Sequence, residues 1–359
     1  MGNALTKPKR STLSTTSAVV SEGPVIDAAM AKPSHFSLVI HGGAGVMSPE
    51  DLPPAVREKY VLGLKEALHA GSAVLKASGS SLEAVEAAVR VLEDCPLFNA
   101  GKGAVFSRDG KNVCEASIMD GRNAEAGAAT LLTTVKNPIS LARIIKTTTP
   151  HVFLASVEAE KIADANGLEI VDPTYFYTEH RWQQHISEGP ALASSHKEPA
   201  ITSYSATDES KVPDLYPQGT VGACAVDVFG NLAAATSTGG KNNKYTYRIG
   251  DTPMIGSGTY AENGYAAVSG TGDGEYFIRY AVAHDIVARM KYCGKHVSVQ
   301  EAAHATVHET LKGAGGAGGV IAVDGQGRVT LPFNTTGMYR GFIKDDGVAH
   351  TAIFAGEWY

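Results

Sequence analysis

The chain has 359 residues, enough to bury a sizeable core in one large domain or two ordinary ones. Hydrophobic residues make up 43% and charged residues 19%, which is typical of globular proteins and excludes a disordered chain. The net charge is −6 and no basic stripe with interleaved aromatic residues occurs, so no nucleic-acid partner is indicated. The four cysteines are far apart, without zinc-site or disulfide-framework spacing, which favours a reduced, cytoplasmic protein.

The first 34 residues predict a disordered tail, because they are polar, rich in serine and threonine, and lack useful periodicity. Residues 1–6, Met-Gly-Asn-Ala-Leu-Thr, fit the N-myristoylation pattern, and basic residues follow them, so Gly2 is a lipidation candidate. A single acyl chain binds membranes weakly, so we expect weak membrane contact only if Gly2 is acylated. The tail has no acidic residue before Glu22, and a mitochondrial transit peptide is therefore an alternative.

Folded structure is predicted to begin at 36–40 with a short buried strand. Residues 41–45, His-Gly-Gly-Ala-Gly, predict a tight turn whose backbone N–H groups are free to point inward. Apolar residues at helical spacing predict a helix over 57–77, and Ser80 and Glu83 form a capping-box pattern for the next one. The apolar stripe of that second helix consists of Leu82, Val85, Val89 and Leu92.

The second half of the chain has its own set of predicted elements. Residues 187–218 are rich in serine, proline, alanine and charge, which predicts a mobile surface linker, functional or merely interdomain. Strands are predicted at 221–227, 232–236, 264–269, 320–323 and 351–355, and helices at 275–291 and 299–311. Strands and helices on both sides of the linker indicate one α/β assembly made from two halves.

A Gly-Thr junction, Gly219-Thr220, opens the first strand after the linker. Threonine is a poor nucleophile at neutral pH and needs a base held against its hydroxyl. Cleavage just before Thr220 would create an α-amine, with a reference pKa of roughly 7.7–8.0, that can take the proton from the Oγ of the same residue. Alone, the junction is equally an ordinary turn before a half-buried strand, so the other motifs have to decide.

Five motifs occur in one order along the chain. They are His-Gly-Gly-Ala-Gly at 41–45, Leu-Phe-Asn-Ala-Gly at 97–101, Gly-Thr-Val-Gly at 219–222, Arg-Ile-Gly-Asp-Thr-Pro at 248–253 and Ser-Gly-Thr-Gly-Asp-Gly-Glu at 269–275. With these motifs the chain from about residue 36 to Tyr359 resembles the plant-type L-asparaginase and isoaspartyl aminopeptidase family of N-terminal nucleophile (Ntn) hydrolases. The resemblance implies a four-layer αββα sandwich.

The resemblance also implies how the nucleophile is made. Thr220 would be the nucleophile, freed when the precursor cleaves itself between Gly219 and Thr220. Glycine before the cut fits this chemistry because it tolerates strained backbone. Thr238 matches a threonine that hydrogen-bonds and tunes the nucleophile, and Asn99 matches an asparagine that contacts it from the other half.

The implied substrates are L-asparagine and β-aspartyl (isoaspartyl) dipeptides, which share their α-groups and differ in the leaving amine. Thr271 and Gly272 match the oxyanion hole, with one hydroxyl and one backbone N–H as donors. Arg248 would clamp the substrate α-carboxylate, and Asp251 would hold the α-ammonium together with the carbonyl of Gly274. Taken singly, these residues fit a glycine-rich turn and a surface ion pair equally well.

No organic cofactor is expected, but the resemblance implies a structural sodium ion, and a ring of backbone carbonyls suits such a hard cation. An activating potassium ion, as in some plant members, is possible at 128–136. The expected mature unit is an (αβ)2 heterotetramer, with an α subunit at 35–219 and a β subunit at 220–359. The sodium would be held by the carbonyls of Leu92, Glu93, Cys95, Phe98, Ala100 and Lys102.

Two relatives with the same chemistry are alternatives: glycosylasparaginases, which need a secretory signal and disulfides, and threonine aspartases, which typically carry a larger helical insertion. A nucleotide- or phosphate-binding module is an alternative of another class, since glycine-rich loops follow strands; however, none fits a P-loop or dinucleotide fingerprint. The chain also departs from the family at Asp273, whose acidic side chain should disfavour an acidic leaving group.

Overall fold

The computed structural model describes Gly2 and residues 35–45, 47–50, 52–192, 219–293 and 297–359. The predicted tail, apart from Gly2, and residues 193–218 of the predicted linker lie outside the described residues. From residue 35 onward the described residues lie in one compact unit. In this described part of the chain, no helix is both long enough and apolar enough to cross a membrane.

Both halves of the described chain contain strands and helices. The strands are β1 (Ser37–Gly45), β2 (Cys114–Asp120), β3 (Ala126–Leu132), β4 (Phe153–Ala155), β5 (Val221–Val226), β6 (Leu232–Thr238), β7 (Thr259–Ala261), β8 (Ala266–Gly272), β9 (Gly318–Asp324), β10 (Val329–Thr330), β11 (Gly337–Lys344) and β12 (His350–Ala352). The α-helices are α1 (Pro54–Lys76), α2 (Ser81–Asp94), α3 (Pro138–Thr148), α4 (Ser156–Ala165), α5 (Glu179–Leu192), α6 (Gly274–Tyr280), α7 (Val282–Tyr292) and α8 (Val299–Ala305).

The strands form two sheets that pack face to face. The larger sheet has the order β12-β11-β1-β5-β6-β2-β3-β4, and the smaller one has the order β10-β9-β8-β7. Helices α1 and α2 cover the outer face of the larger sheet, and α7 and α8 cover that of the smaller sheet, while β1, β5 and β6 pack against β8 and β9. This succession of helix, sheet, sheet and helix confirms the predicted four-layer sandwich.

The strand sequences lack polar alternation because both faces of each sheet are covered. In β1, Leu38 and Ile40 belong to the buried cluster under α1 and α2, whereas Val39 belongs to the cluster between the sheets. Alternate residues of a strand point to opposite faces, so one strand contributes to both clusters. Small residues of β5 and β6, such as Ala223 and Ala235, allow the layers to approach closely.

The predicted turn at 41–45 is wrong, because β1 continues through Gly45. Pairing with β11 extends to Gly45, opposite Gly337, with a bulge between His41 and Gly43. Gly43 has φ +113°, a conformation that residues with a Cβ rarely adopt. The glycines therefore accommodate a bulge within a strand, and the bulge turns the strand end towards the start of β5.

The capping box of α2 is confirmed: Ser80 Oγ accepts a bond from Glu83 N at 3.2 Å, and Glu83 Oε2 accepts one from Ser80 N at 3.0 Å. The helix predicted at 57–77 begins slightly earlier, at Pro54, where proline favours the first turn. All four residues of the predicted α2 stripe are buried.

Two other predictions are wrong in part, and a third, the helix at 299–311, is confirmed in its bounds but changes its helix type. Residues 187–192 of the predicted linker belong to α5. The helix predicted at 275–291 is broken into α6 and α7 at Ala281, whose φ is +46°. The helix predicted at 299–311 changes from α8 to a π-helical segment, Thr306–Leu311. Apolar spacing does not register such local breaks in a helix, because the buried face continues across them.

Candidate active site

Thr220 stands immediately before β5, a central strand whose neighbours are β1 and β6. Its side chain is buried, and its carbonyl oxygen lies 2.9 Å from His41 Nδ1. The antiparallel register pairs Val221 with Ser237. Continued by one residue, this register brings Thr220 beside Thr238, the last residue of β6. The fold thus places the predicted nucleophile and its predicted tuning residue on adjacent strands.

Gly219, the residue before the predicted cut, packs directly on the bulged end of β1. A Cβ added at Gly219 would lie 2.4 Å from Gly43 Cα and 2.6 Å from Ala44 N. A Cβ added at Gly43 would in turn lie 2.9 Å from Gly219 Cα. These backbones can approach so closely only because both residues are glycine.

Thr271 and Gly272, the predicted oxyanion hole, end β8 in the smaller sheet. Thr271 is fully buried, and its Oγ1 accepts a hydrogen bond from Ala44 N at 3.2 Å. Because Oγ1 is the acceptor in that bond, the O–H of Thr271 remains a donor. Since Ala44 also contacts the space beside Gly219, it joins the predicted oxyanion hole to the predicted cleavage point.

The three predicted recognition residues converge at one point. A Cβ added at Gly274 would lie 2.6 Å from Asp251 Oδ1 and 2.8 Å from Arg248 Nη2. Glycine at this position leaves room in which the guanidinium and the carboxylate face each other. Gly274 begins α6 only two residues after Gly272, so this recognition cluster adjoins the predicted oxyanion hole.

The buried carboxylate of Asp251 makes the recognition cluster suitable for binding a cation. Asp251 is 5% exposed, and its Oδ2 is buried without a hydrogen-bond partner among the described residues. Burial raises the pKa of Asp251 to about 7, against the opposing charge of Arg248. A buried carboxylate oxygen without a donor destabilises the protein, and a ligand that brings N–H groups to it removes that cost. An α-ammonium group is such a ligand.

Sequence reasoning assigned no role to Glu275, although the residue closes the last of the five motifs. The carboxylate of Glu275 accepts two hydrogen bonds from Arg248, one from Nε and one from Nη2, each 3.0 Å long. Burial alone would raise the pKa of Glu275, but the hydrogen bonds and charge of Arg248 lower it to about 2. Glu275 therefore fixes the orientation of the guanidinium, and Nη1 remains for a second carboxylate.

Glu115, on β2, was also missed. Its carboxylate is fully buried, accepts a bond from Gly250 N at 3.0 Å, and lies 3.7 Å from Lys244 Nζ. Gly250 lies between Arg248 and Asp251, so this buried pair holds the loop that carries both. The signal in the sequence is weak, because a single glutamate in an apolar strand indicates its partner only after folding.

Asn99 lies beside the end of β6. Its Nδ2 donates to the carbonyl of Gly240 at 2.7 Å, and its Oδ1 accepts from Val105 N at 3.0 Å. Gly240 N in turn donates to Thr238 Oγ1 at 2.8 Å. Asn99 and Thr238 are therefore linked through one residue, Gly240.

The predicted sodium loop is closely packed around two glycines. A Cβ added at Gly101 would lie 2.4 Å from the carbonyl oxygen of Glu93, and one at Gly103 would lie 2.1 Å from that of Phe98. Backbone N–H groups of the loop donate to the carbonyls of Cys95, Phe98 and Ala100, and Arg181 Nε donates to that of Gly103 at 2.9 Å. A carbonyl oxygen has a second lone pair, so these bonds are compatible with a hard monovalent cation.

Two covered sheets between helical layers, with a threonine at the start of a central strand, define an N-terminal nucleophile hydrolase. A model of the asparaginase family matches residues 34–353, and the chain belongs to this family. The chain is 44% identical to an isoaspartyl peptidase of Escherichia coli over 319 residues, which cover 88% of this chain and 95% of the relative.

Two eukaryotic relatives are also similar to this chain over most of their length. A putative isoaspartyl peptidase/L-asparaginase of Dictyostelium discoideum is 44% identical over 327 residues, covering 86% of this chain and 93% of the relative. An isoaspartyl peptidase/L-asparaginase of Xenopus laevis is 39% identical over 323 residues, covering 89% of this chain and 96% of the relative.

Proposed function

We propose that this protein is a self-cleaving threonine amidohydrolase that acts on L-asparagine and on β-aspartyl dipeptides. The observation that carries the proposal is the recognition cluster, where Arg248 and a partnerless buried oxygen of Asp251 meet at the backbone of Gly274. The names of the relatives support the same substrates. A free α-carboxylate and a free α-ammonium on one carbon match this pair of opposite charges.

Self-cleavage begins with attack by Thr220 Oγ on the carbonyl carbon of Gly219. The C–N bond breaks, a C–O ester bond forms, and the Oγ proton ends on the released α-amine of Thr220. Water then hydrolyses the ester, which leaves a carboxylate on Gly219 and a free hydroxyl on Thr220. The close approach of Gly43 and Ala44 supports this step, because it holds the backbone of Gly219 in place.

Turnover uses the same hydroxyl with the new amine as its base. The α-amine takes the Oγ proton, Oγ attacks the side-chain carbonyl carbon of the substrate, and Thr271 and Gly272 stabilise the oxyanion. The ammonium then gives its proton to the leaving amine, which is ammonia or the second residue of a dipeptide. Water hydrolyses the resulting ester on Thr220 and releases L-aspartate.

Three further properties belong to this proposal. Six backbone carbonyls would hold a sodium ion, which would keep the loop that carries Asn99 in position. They are the carbonyls of Leu92, Glu93, Cys95, Phe98, Ala100 and Lys102. The cleaved chains assemble as (αβ)2, and a measurement of the native mass tests this stoichiometry. Gly2 carries an acyl chain in a cell with an N-myristoyltransferase, which intact-mass spectrometry measures.

The first experiment is a denaturing gel followed by sequencing of any new N-terminus. Cleavage gives pieces of 219 and 140 residues (359 − 219 = 140), the second beginning Thr-Val-Gly-Ala-Cys. The Thr220→Ala variant should remain one chain without hydrolase activity. An uncut wild-type chain, or full activity in the variant, would overturn the mechanism.

A further inference from the structure

His41 is a fully buried side chain on β1 that the mechanism above does not use. Its ring lies between two strands of different sheets, with Nδ1 2.9 Å from the Thr220 carbonyl oxygen and Nε2 2.9 Å from Ser269 Oγ. A Cβ added at Gly222 would lie 2.5 Å from His41 Nε2 and 2.0 Å from Ser269 Oγ. Gly222, the backbone partner of His41 in β5, therefore leaves the space that this contact fills.

The protonation state of His41 follows from its partners. A carbonyl oxygen only accepts, so Nδ1 carries the proton and donates to Thr220. Burial lowers the pKa of His41 to about 3, so the ring is neutral at physiological pH and Nε2 is an acceptor. Ser269 must then donate its hydroxyl proton to Nε2.

A line of buried hydroxyl groups, which begins at the Nε2 side of the ring, stabilises this tautomer of His41. Ser269 Oγ lies 2.7 Å from Thr236 Oγ1, and Thr259 and Ser117 continue the line, with 2.8 Å between their hydroxyl oxygens. All four residues are fully buried. Because Ser269 donates to His41, it must accept from Thr236, which in turn accepts from Thr259. The hydroxyl protons of Thr259, Thr236 and Ser269 therefore point towards Thr220, whereas Ser117 Oγ donates to the carbonyl of Thr252 at 2.5 Å.

We propose that His41 is a positioning residue for the nucleophile: its Nδ1–H holds the Thr220 carbonyl and thereby aims Thr220 Oγ and the adjacent amine at the substrate. The inference rests on the proposed function, because it concerns Thr220 after the chain has been cut. Cleavage turns Thr220 from an internal residue into a chain terminus, and termini fray unless something ties them down. The bond from His41 ties the new terminus by its carbonyl, the one backbone group of Thr220 that cleavage leaves unchanged.

Two amide variants separate the two ends of the ring. In His41→Asn an N–H group can take the place of Nδ1, whereas in His41→Gln the amide reaches towards Ser269 and the donor to Thr220 is lost. Expressed per cleaved chain, kcat for L-asparagine should stay within about twofold of wild type in His41→Asn and fall roughly five- to tenfold in His41→Gln, the net worth of one hydrogen bond. KM should stay within about twofold in both, since the recognition cluster is untouched.

Ser269→Ala provides a third variant, because it removes the donor to Nε2 while leaving the bond from Nδ1 to Thr220. Its kcat should lie between those of the two amide variants. Thermal unfolding of all three shows whether kcat simply follows stability. Equal kcat in the two amide variants, or a change confined to KM, would overturn the role of His41. Failure of wild type to cleave or to turn over would instead overturn the proposed function, so the two failures are distinguishable.

Discussion

Replacing Arg248 by alanine should strongly lower substrate turnover while leaving self-cleavage intact. The contacts of Gly219 and Thr220 are with the end of β1, whereas Arg248 contacts Glu275 and the space at Gly274. The two steps of the proposed mechanism therefore depend on different residues. A denaturing gel and a turnover assay on the same preparation measure both.

The size of the effect follows from the hydrogen bonds that the substrate α-carboxylate would lose. Two charge-assisted bonds are worth roughly 1.5–3 kcal/mol each, or about 3–6 kcal/mol together. At about 1.4 kcal/mol for each factor of ten, kcat/KM should fall roughly 10²- to 10⁴-fold. The lower part of that range is the better expectation, because Glu275 already occupies the Nε and Nη2 edge in the empty site.

A matched control is Arg122→Ala, since Arg122 makes a comparable fork with Asp120, with bonds of 3.0 and 2.6 Å, outside the proposed site. This control should cleave and turn over like wild type. The reasoning is refuted if Arg248→Ala keeps kcat/KM within about threefold of wild type. It is also refuted if Arg248→Ala folds but remains uncut, because the clamp would then take part in cleavage.

Three further changes test the electrostatics of the site. Asp251, with a pKa of about 7, must ionise to hold an α-ammonium, so inhibition by L-aspartate should weaken about tenfold per pH unit below that value. Succinate lacks the ammonium group and should not weaken in this way; parallel pH profiles of the two inhibition constants would contradict the assignment. Glu115→Gln leaves Lys244 without its counter-ion, although Nζ still donates to the carbonyl of Val113 at 2.8 Å. Because burial already lowers the pKa of Lys244, the change should cost about 3 kcal/mol in denaturant unfolding and raise KM. The control variant is Asp109→Asn, in the exposed pair of Asp109 and Lys111, and it should change the stability little. Equal unfolding midpoints for Glu115→Gln and Asp109→Asn would refute the role of Glu115. Asp273→Asn should raise kcat/KM for β-aspartyl-glutamate relative to β-aspartyl-lysine roughly tenfold, because it removes one repulsion and one attraction, each worth about threefold across several ångströms of water. An unchanged ratio would place the leaving group elsewhere.

Much of the fold is predictable because local patterns and packing agree. The capping box at Ser80 and the apolar stripe of α2 specify a helix and its buried face, and both are confirmed. Glycine-rich stretches were harder to interpret, since glycine signals a turn as readily as a bulge. The continuation of β1 through Gly45 depends on β11, almost 300 residues later in the sequence, so no local signal could reveal it.

The residues of the proposed site likewise divide into those that the sequence indicates and those that only the structure reveals. Residues within motifs, such as Thr220 and Arg248, can be identified from the sequence because their chemistry and spacing coincide. Glu115 lies outside the motifs, and His41 lies within one but shows no reactive chemistry there. Both act through partners on other strands, and their importance appears only when burial and donor-acceptor matching are known. A buried acid or imidazole is common in structural cores, so composition alone gives it no role.

The order of strands in the larger sheet has a consequence for the lifetime of the enzyme. Strands from before position 219 (β1, β2) alternate with strands from after it (β11, β5, β6), so each of the two pieces supplies strands to one continuous sheet. Under the proposed mechanism, native pairing would hide the cut between Gly219 and Thr220, but unfolding would release two separate chains. Refolding would then require two pieces to meet, a step that slows with dilution. The unfolding rate would therefore set how long each active molecule lasts.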